Sequence, residues 1–208
     1  MAPQIRRIRM RHTLFAALLA SAALLLVPPT ASAQWRSEPT GFHAAAFLNG
    51  SAITYEDDDE AESGGGVGFV LGWGLGNLVT LYLEGVAADV EFLSGGGTYT
   101  LTHADLGARF NFRSMAKRWR PYAKAAVTGL YAETDILGND IFSISGAGVT
   151  VGGGIAYFIS RKFAVDAGLE FTGGSFSEAE LAGLKSDIDV SATSTRVNLG
   201  MSFWNGHR

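Results

Sequence analysis

The sequence contains no cysteine. A disulfide-stapled scaffold, a zinc knuckle, a cysteine nucleophile and a lipidated N-terminal cysteine are therefore excluded. Charge is scarce: 17 % of residues carry it, against roughly 25 % in an average protein. The formal net charge of −4 leaves no electrostatic footprint for nucleic acid. Beyond Val27 no continuous apolar run reaches helix length, so helical membrane spans are not expected. What the chain holds in excess is glycine, 27 of 208 residues, alongside 47 % hydrophobic residues.

The N-terminus reads as a targeting segment. Arg6, Arg7, Arg9 and Arg11 form a basic start, Leu14–Val27 is apolar, and Pro28-Pro29 break the run. Ala31-Ser32-Ala33 supplies a small-x-small cleavage site. The apolar run falls short of the roughly 20 residues a spanning helix needs. Residues 1–33 are thus expected to be a signal peptide, cut before Gln34, and residues 34–208 a single exported domain. Cleavage strips four arginines and no acid, taking the net charge from −4 to −8.

The exported part is governed by period-two alternation, the mark of strands with two unlike faces. Val67, Phe69, Leu71, Trp73 and Leu75 alternate with Gly66, Gly68, Val70, Gly72 and Gly74. Val79, Leu81 and Leu83 oppose Thr80, Tyr82 and Glu84, while Leu106, Ala108 and Phe110 oppose Asp105, Gly107 and Arg109. Similar patterns cover 121–132, 149–159, 163–172 and 196–203. Residues 41–49 make an eighth strand, whose parity the sequence leaves open. Eight is an even number, as a closed antiparallel barrel requires. Connections near 76–78, 114–120 and 160–162 are short, and those near 49–64, 89–98, 133–146 and 173–190 are long. Short periplasmic turns and long outer loops are the asymmetry of a transmembrane barrel.

Chemistry decides which face is outside. A soluble barrel turns its apolar face inward. Here the more polar face is mostly Gly, Ala and Thr, a poor solvated surface but a good filling for a narrow lumen. Two aromatic girdles are expected. Trp73, Phe112, Trp119, Tyr122, Tyr157, Phe163, Phe203 and Trp204 lie on the short-turn side; Phe47, Phe92, Tyr99, Tyr131 and Phe171 lie on the other.

The charges sort the same way. The long connections carry Glu56, Asp57, Asp58, Asp59, Glu60, Glu62, Asp89, Glu91, Glu133, Asp135, Asp140, Glu178, Glu180, Asp187 and Asp189 against Lys185 alone. The short turns carry Arg113, Lys117, Arg118, Arg120, Arg161 and Lys162. Arg36, Glu38 and Arg208 belong to the termini. Seven charges remain, all on inward positions: Glu84, Asp105, Arg109, Lys124, Asp166, Glu170 and Arg196. None falls on the lipid face, where a mid-bilayer charge costs ~2–4 kcal/mol. Arg109, Lys124 and Asp166 sit at like depth, and Glu170 and Arg196 match on neighbouring strands. Because an eight-stranded barrel has room only for side chains, a salt-bridged plug is expected rather than an open channel.

With this pattern, and with segments such as His103-Ala104-Asp105-Leu106-Gly107-Ala108-Arg109-Phe110 and Val197-Asn198-Leu199-Gly200-Met201-Ser202-Phe203, the chain resembles the small outer-membrane β-barrels of the OmpA transmembrane-domain and OmpX type. The closing segment resembles the C-terminal signal read by the outer-membrane assembly machinery, although the chain continues past it to Arg208. The resemblance implies a monomeric barrel among outer-membrane lipid and lipopolysaccharide. Its implied role is structural, adhesive or small-solute, with no cofactor and no shared catalytic residues.

Rival functions have weaker support. A narrow porin-like channel is the alternative, and a lipid A-modifying enzyme ranks third. His103 and Asp105 share a strand face, with Thr128 on the next strand, but no nucleophilic serine stands at a suitable spacing. His43 has open parity and His207 lies in the tail. The run Glu56–Glu60 lacks EF-hand spacing, so a solvated loop is expected there rather than a metal site. Gly64-Gly65-Gly66 and Gly152-Gly153-Gly154 are read as strand positions facing a crowded lumen. Ser177-x-x-Glu180 reads as a short helix start or an irregular loop.

Overall fold

A computed structural model describes residues 39–56, 60–93, 97–112, 118–136, 140–181 and 183–206. The expected signal peptide lies outside the described residues, as do Arg36, Glu38, Asp57, Asp58, Asp59, Arg113, Lys117, His207 and Arg208.

Eight strands follow in order: β1 (Gly41–Tyr55), β2 (Glu62–Gly74), β3 (Val79–Glu91), β4 (Thr98–Asn111), β5 (Trp119–Ile136), β6 (Asp140–Phe158), β7 (Phe163–Leu181) and β8 (Leu184–Asn205). Each pairs antiparallel with the next, and β8 closes on β1 from Phe42↔Asn205 to Tyr55↔Ala192. Closure leaves no strand edge, which hydrocarbon demands because it cannot hydrogen-bond a free backbone group.

The faces are inverted relative to a soluble protein. Val67, Phe69, Leu106, Val127, Val149 and Val197 are more than half exposed, whereas Glu84, Asp105, Glu170 and Arg196 are exposed by 2 % or less. Parity in β1 is now set: Phe42 and Leu48 face out, while His43 and Asn49 are buried.

The long connections are corrected most. Those near 49–64, 133–146 and 173–190 are strand for most of their length, because the strands run on well beyond the apolar band, whereas β3 ends at Glu91 and β4 begins only at Thr98. β7 and β8 pair as far as Leu181↔Leu184, where Gly183 at φ 81° makes the reversal. The acids had disguised these extensions. Asp187, Asp189 and Glu133 occupy the outward positions of strands whose inward neighbours Ile188, Val190 and Ala132 pack together. That inner face joins Ile53, Val90, Leu101, Leu130 and Phe176 in an apolar cluster inside the far end of the barrel. Burial of this cluster is what carries regular pairing past the membrane band. The helix start at Ser177 is overridden for the same reason: Phe176 pairs with Val190, Glu178 pairs with Asp187, and the register shifts between them at a bulge.

The girdles are corrected too. Trp73, Phe112 and Phe163 on one side and Tyr131 and Phe171 on the other are exposed on the outer face. Tyr122, Trp204 and Tyr99 are buried inside, and Phe47 and Phe92 pack against interior clusters. Parity explains this, since Tyr122 shares the face of Lys124, and Trp204 that of Ser202. Two charges assigned to connections are interior as well: Glu62 at the start of β2 and Arg120 near the start of β5.

Candidate functional site

Side chains project into the lumen in layers, with the seven inward charges among them. Nearest the short turns, Trp204 packs with Phe158, Ala156 and Ala164, and His43 stacks on its indole with ring centroids 3.8 Å apart. The indole N–H donates to Ser202 Oγ at 3.2 Å, and that hydroxyl donates to Asp166.

Arg109 forms the next layer. Its Nη2 meets Asp166 Oδ1 at 3.0 Å, and its Nε donates to Asn111 Oδ1 at 3.0 Å. The guanidinium lies 3.6 Å above the Tyr122 ring. Register explains how so large a ring fits: Tyr122 pairs with Gly154, which pairs with Gly168. A Cβ on Gly154 would stand 2.7 Å from Tyr122 Cζ, so that row has no room for a second side chain.

Deeper still, Lys124 and Arg196 are enclosed by three acids. Lys124 Nζ donates to Glu84 Oε2 and Glu170 Oε1, both at 2.5 Å. Arg196 Nη2 meets Asp105 Oδ2 at 2.7 Å and Glu170 Oε2 at 3.0 Å, and its Nη1 stands 3.7 Å from Glu84 Oε1. The Lys124–Glu170 contact spans two strands because Gly152, the register partner of both, places nothing between them. Asn198 Nδ2 donates to Glu170 Oε1 at 3.1 Å, and Asn49 Nδ2 donates to Asn198 Oδ1 at 2.7 Å. Beyond the guanidinium, the hydroxyls of Thr128, Thr150 and Thr172 make a ladder with steps of 2.6 and 2.7 Å.

Equal depth did not make Lys124 a partner of Asp166. Arg109 takes that carboxylate, and the longer reach of Lys124 is spent toward the far end. Glu84, Asp105 and Glu170 also present oxygens within 4.8 Å of one another, a spacing that suits a metal ion. Here the same oxygens face Lys124 and Arg196. The free space beside the network is about 40 Å³, on the scale of a few water molecules.

His103 and Asp105 are both buried on β4, yet no catalytic dyad forms. The Asp105 carboxylate turns to Arg196, Thr128 bonds Thr150, and His103 Nε2 has no hydrogen-bond partner among the described residues.

Sequence reasoning missed a second polar centre at the far end. Glu62 Oε2 accepts from the Tyr99 hydroxyl at 2.7 Å, and its Oε1 accepts from Leu93 N–H at 3.1 Å. The signal was present, since Glu62 precedes Gly64, Gly66 and Gly68 on one parity. The acidic neighbourhood masked it.

A closed eight-stranded ring with an apolar exterior and a polar, ion-paired interior defines a transmembrane β-barrel. The chain belongs to the outer membrane protein beta-barrel domain family, whose profile matches residues 17–203. It is a protein of the outer membrane. Among solved structures it is similar in fold to Neisserial surface protein A, with TM-score 0.64 and 14 % identity over 80 % of this chain and 98 % of that one. It is also similar to OprG from Pseudomonas aeruginosa, with TM-score 0.57 and 9 % identity over 84 % and 100 % of the two chains. Ail, the attachment invasion locus protein of Yersinia pestis, matches with TM-score 0.52 and 13 % identity over 81 % and 100 %. No curated protein matches it by sequence.

Proposed function

We propose that this barrel is a sealed, non-catalytic outer-membrane protein whose role is structural or exerted through its outer surface. The observation that carries the reading is the network in which Lys124 is held between Glu84 and Glu170, while Arg196 bridges Glu170 and Asp105. A permeating ion would have to displace these side chains, and separating a buried pair costs ~3–5 kcal/mol. The apolar cluster around Leu101, Leu130 and Phe176 adds a second layer that hydrated ions avoid. Against an enzyme stands the occupation of Asp105 by Arg196 and the burial of His103, which keeps a lipid substrate from its ring.

The test is single-channel recording in a planar bilayer, with wild type and Glu170→Ala side by side. The plug predicts a silent wild type and discrete steps in the variant, which loses the acid shared by both cations. Discrete steps from the wild type would overturn the plug in favour of a narrow channel.

A further inference from the structure

At the outer mouth, where β1, β2, β4, β5 and β6 end, the structure holds a cavity of about 250 Å³. Its walls include the rings of Tyr55, Phe92, Tyr99 and Phe142, and its polar members include Glu62 and Glu133. Glu62 is 92 % buried, and among the described residues no lysine or arginine forms an ion pair with it. This sets it apart from the deeper acids, each of which faces a cation of the chain. Its two oxygens accept one hydrogen bond each, from Tyr99 and from Leu93 N–H. A carboxylate has about four acceptor sites, so the group is oriented without being saturated.

We propose that this cavity binds a small organic ammonium ion from the medium. Three features converge on that chemistry. A buried acid without a counter-ion is a costly arrangement that a bound cation relieves. Aromatic faces attract alkylammonium groups within about 6 Å of their centroids, and more strongly when water is excluded. The Phe92 and Tyr99 rings, 4.9 Å apart and inclined at 42°, already form one corner of such a cage. The surrounding rim, with Asp89, Glu91 and Glu133 exposed beside it, draws cations to the mouth. The site does not depend on whether the deeper lumen conducts, because its lining residues and those of the Lys124–Arg196 network share no member.

The experiment is an amide-resolved NMR titration of the refolded barrel in maltoside micelles, a detergent with no ammonium headgroup to compete. The probes are choline and its uncharged isostere 3,3-dimethylbutan-1-ol. Choline is expected to shift the amides of Glu62, Leu93 and Tyr99 saturably, and the isostere to bind about tenfold more weakly or less. Glu62→Gln, which keeps an acceptor for the Tyr99 hydroxyl, should weaken choline about tenfold and leave the isostere unchanged. Phe142→Leu leaves the acid in place and should weaken choline severalfold, so the test survives if the first variant does not fold. The proposal is overturned if choline gives no saturable shift up to about 50 mM, if the isostere matches it, or if both variants bind choline as the wild type does. In those cases Glu62 serves only to fasten the connection after β3.

Discussion

Arg196 offers the sharpest test of the interior. Its side chain is fully buried and meets Asp105 at 2.7 Å, Glu170 at 3.0 Å and Glu84 at 3.7 Å. Replacing it by methionine preserves much of the volume and removes the charge. Glu84 and Glu170 keep Lys124, so the main orphan is Asp105, which has no other cation within ion-pair distance among the described residues. One stranded buried charge costs ~3–5 kcal/mol. With a urea m-value of about 2–3 kcal/mol per molar, the unfolding midpoint of Arg196→Met in lipid vesicles should fall by about 1–2.5 M. The fall is read by loss of heat-modifiable gel migration and by tryptophan fluorescence. Adding Asp105→Asn neutralises the orphan, so the double variant should recover at least ~1.5 kcal/mol relative to additivity. A single variant that loses under ~1 kcal/mol, or a double variant that merely adds, would refute the claim that this network is a coupled, desolvated unit.

Two further outcomes follow from the outer faces. Leu106→Arg places a charge on the lipid side of β4, where Leu106 is 62 % exposed; it should destabilise the barrel in vesicles by ~2–4 kcal/mol, whereas a near-neutral result would argue that this face is not in hydrocarbon. At the β7–β8 tip, the hydrogen bond from Lys185 to Glu178 and the attraction of that carboxylate hold the ammonium above the ordinary lysine range. A raised folded-state pKa contributes stability that is present below the unfolded value and lost as pH rises through the folded one. Tip amides should therefore exchange faster than intrinsic chemistry predicts only above the lysine titration, and Glu178→Gln should lower the Lys185 midpoint seen by NMR.

The gap between sequence and structure follows one physical line. Period-two alternation fixes which side of a strand each residue faces, since a one-residue slip would turn every side chain over. The eight strands, the outward apolar face and the seven inward charges were legible for that reason. Strand length was not. Asp187-Ile188-Asp189-Val190 alternates as cleanly as any membrane strand, but its outward acids resemble a loop until the inward members are seen to share a cluster. Aromatic clustering suggests an outer girdle for Tyr122 and Trp204, yet parity places them inside, beside Lys124 and Ser202.

What the chain alone determined is the fold class and the sign of its faces, because both are local consequences of side-chain alternation against two solvents. Tertiary structure decided who pairs with whom. Stagger around the ring brings Lys124 to Glu170 across Gly152 and gives Asp166 to Arg109. It also sets Glu62 among four aromatic rings drawn from separate segments of the chain. The contacts of the lumen join residues as distant in sequence as Glu84 and Arg196, and they depend on register summed over many strands, which no local pattern encodes.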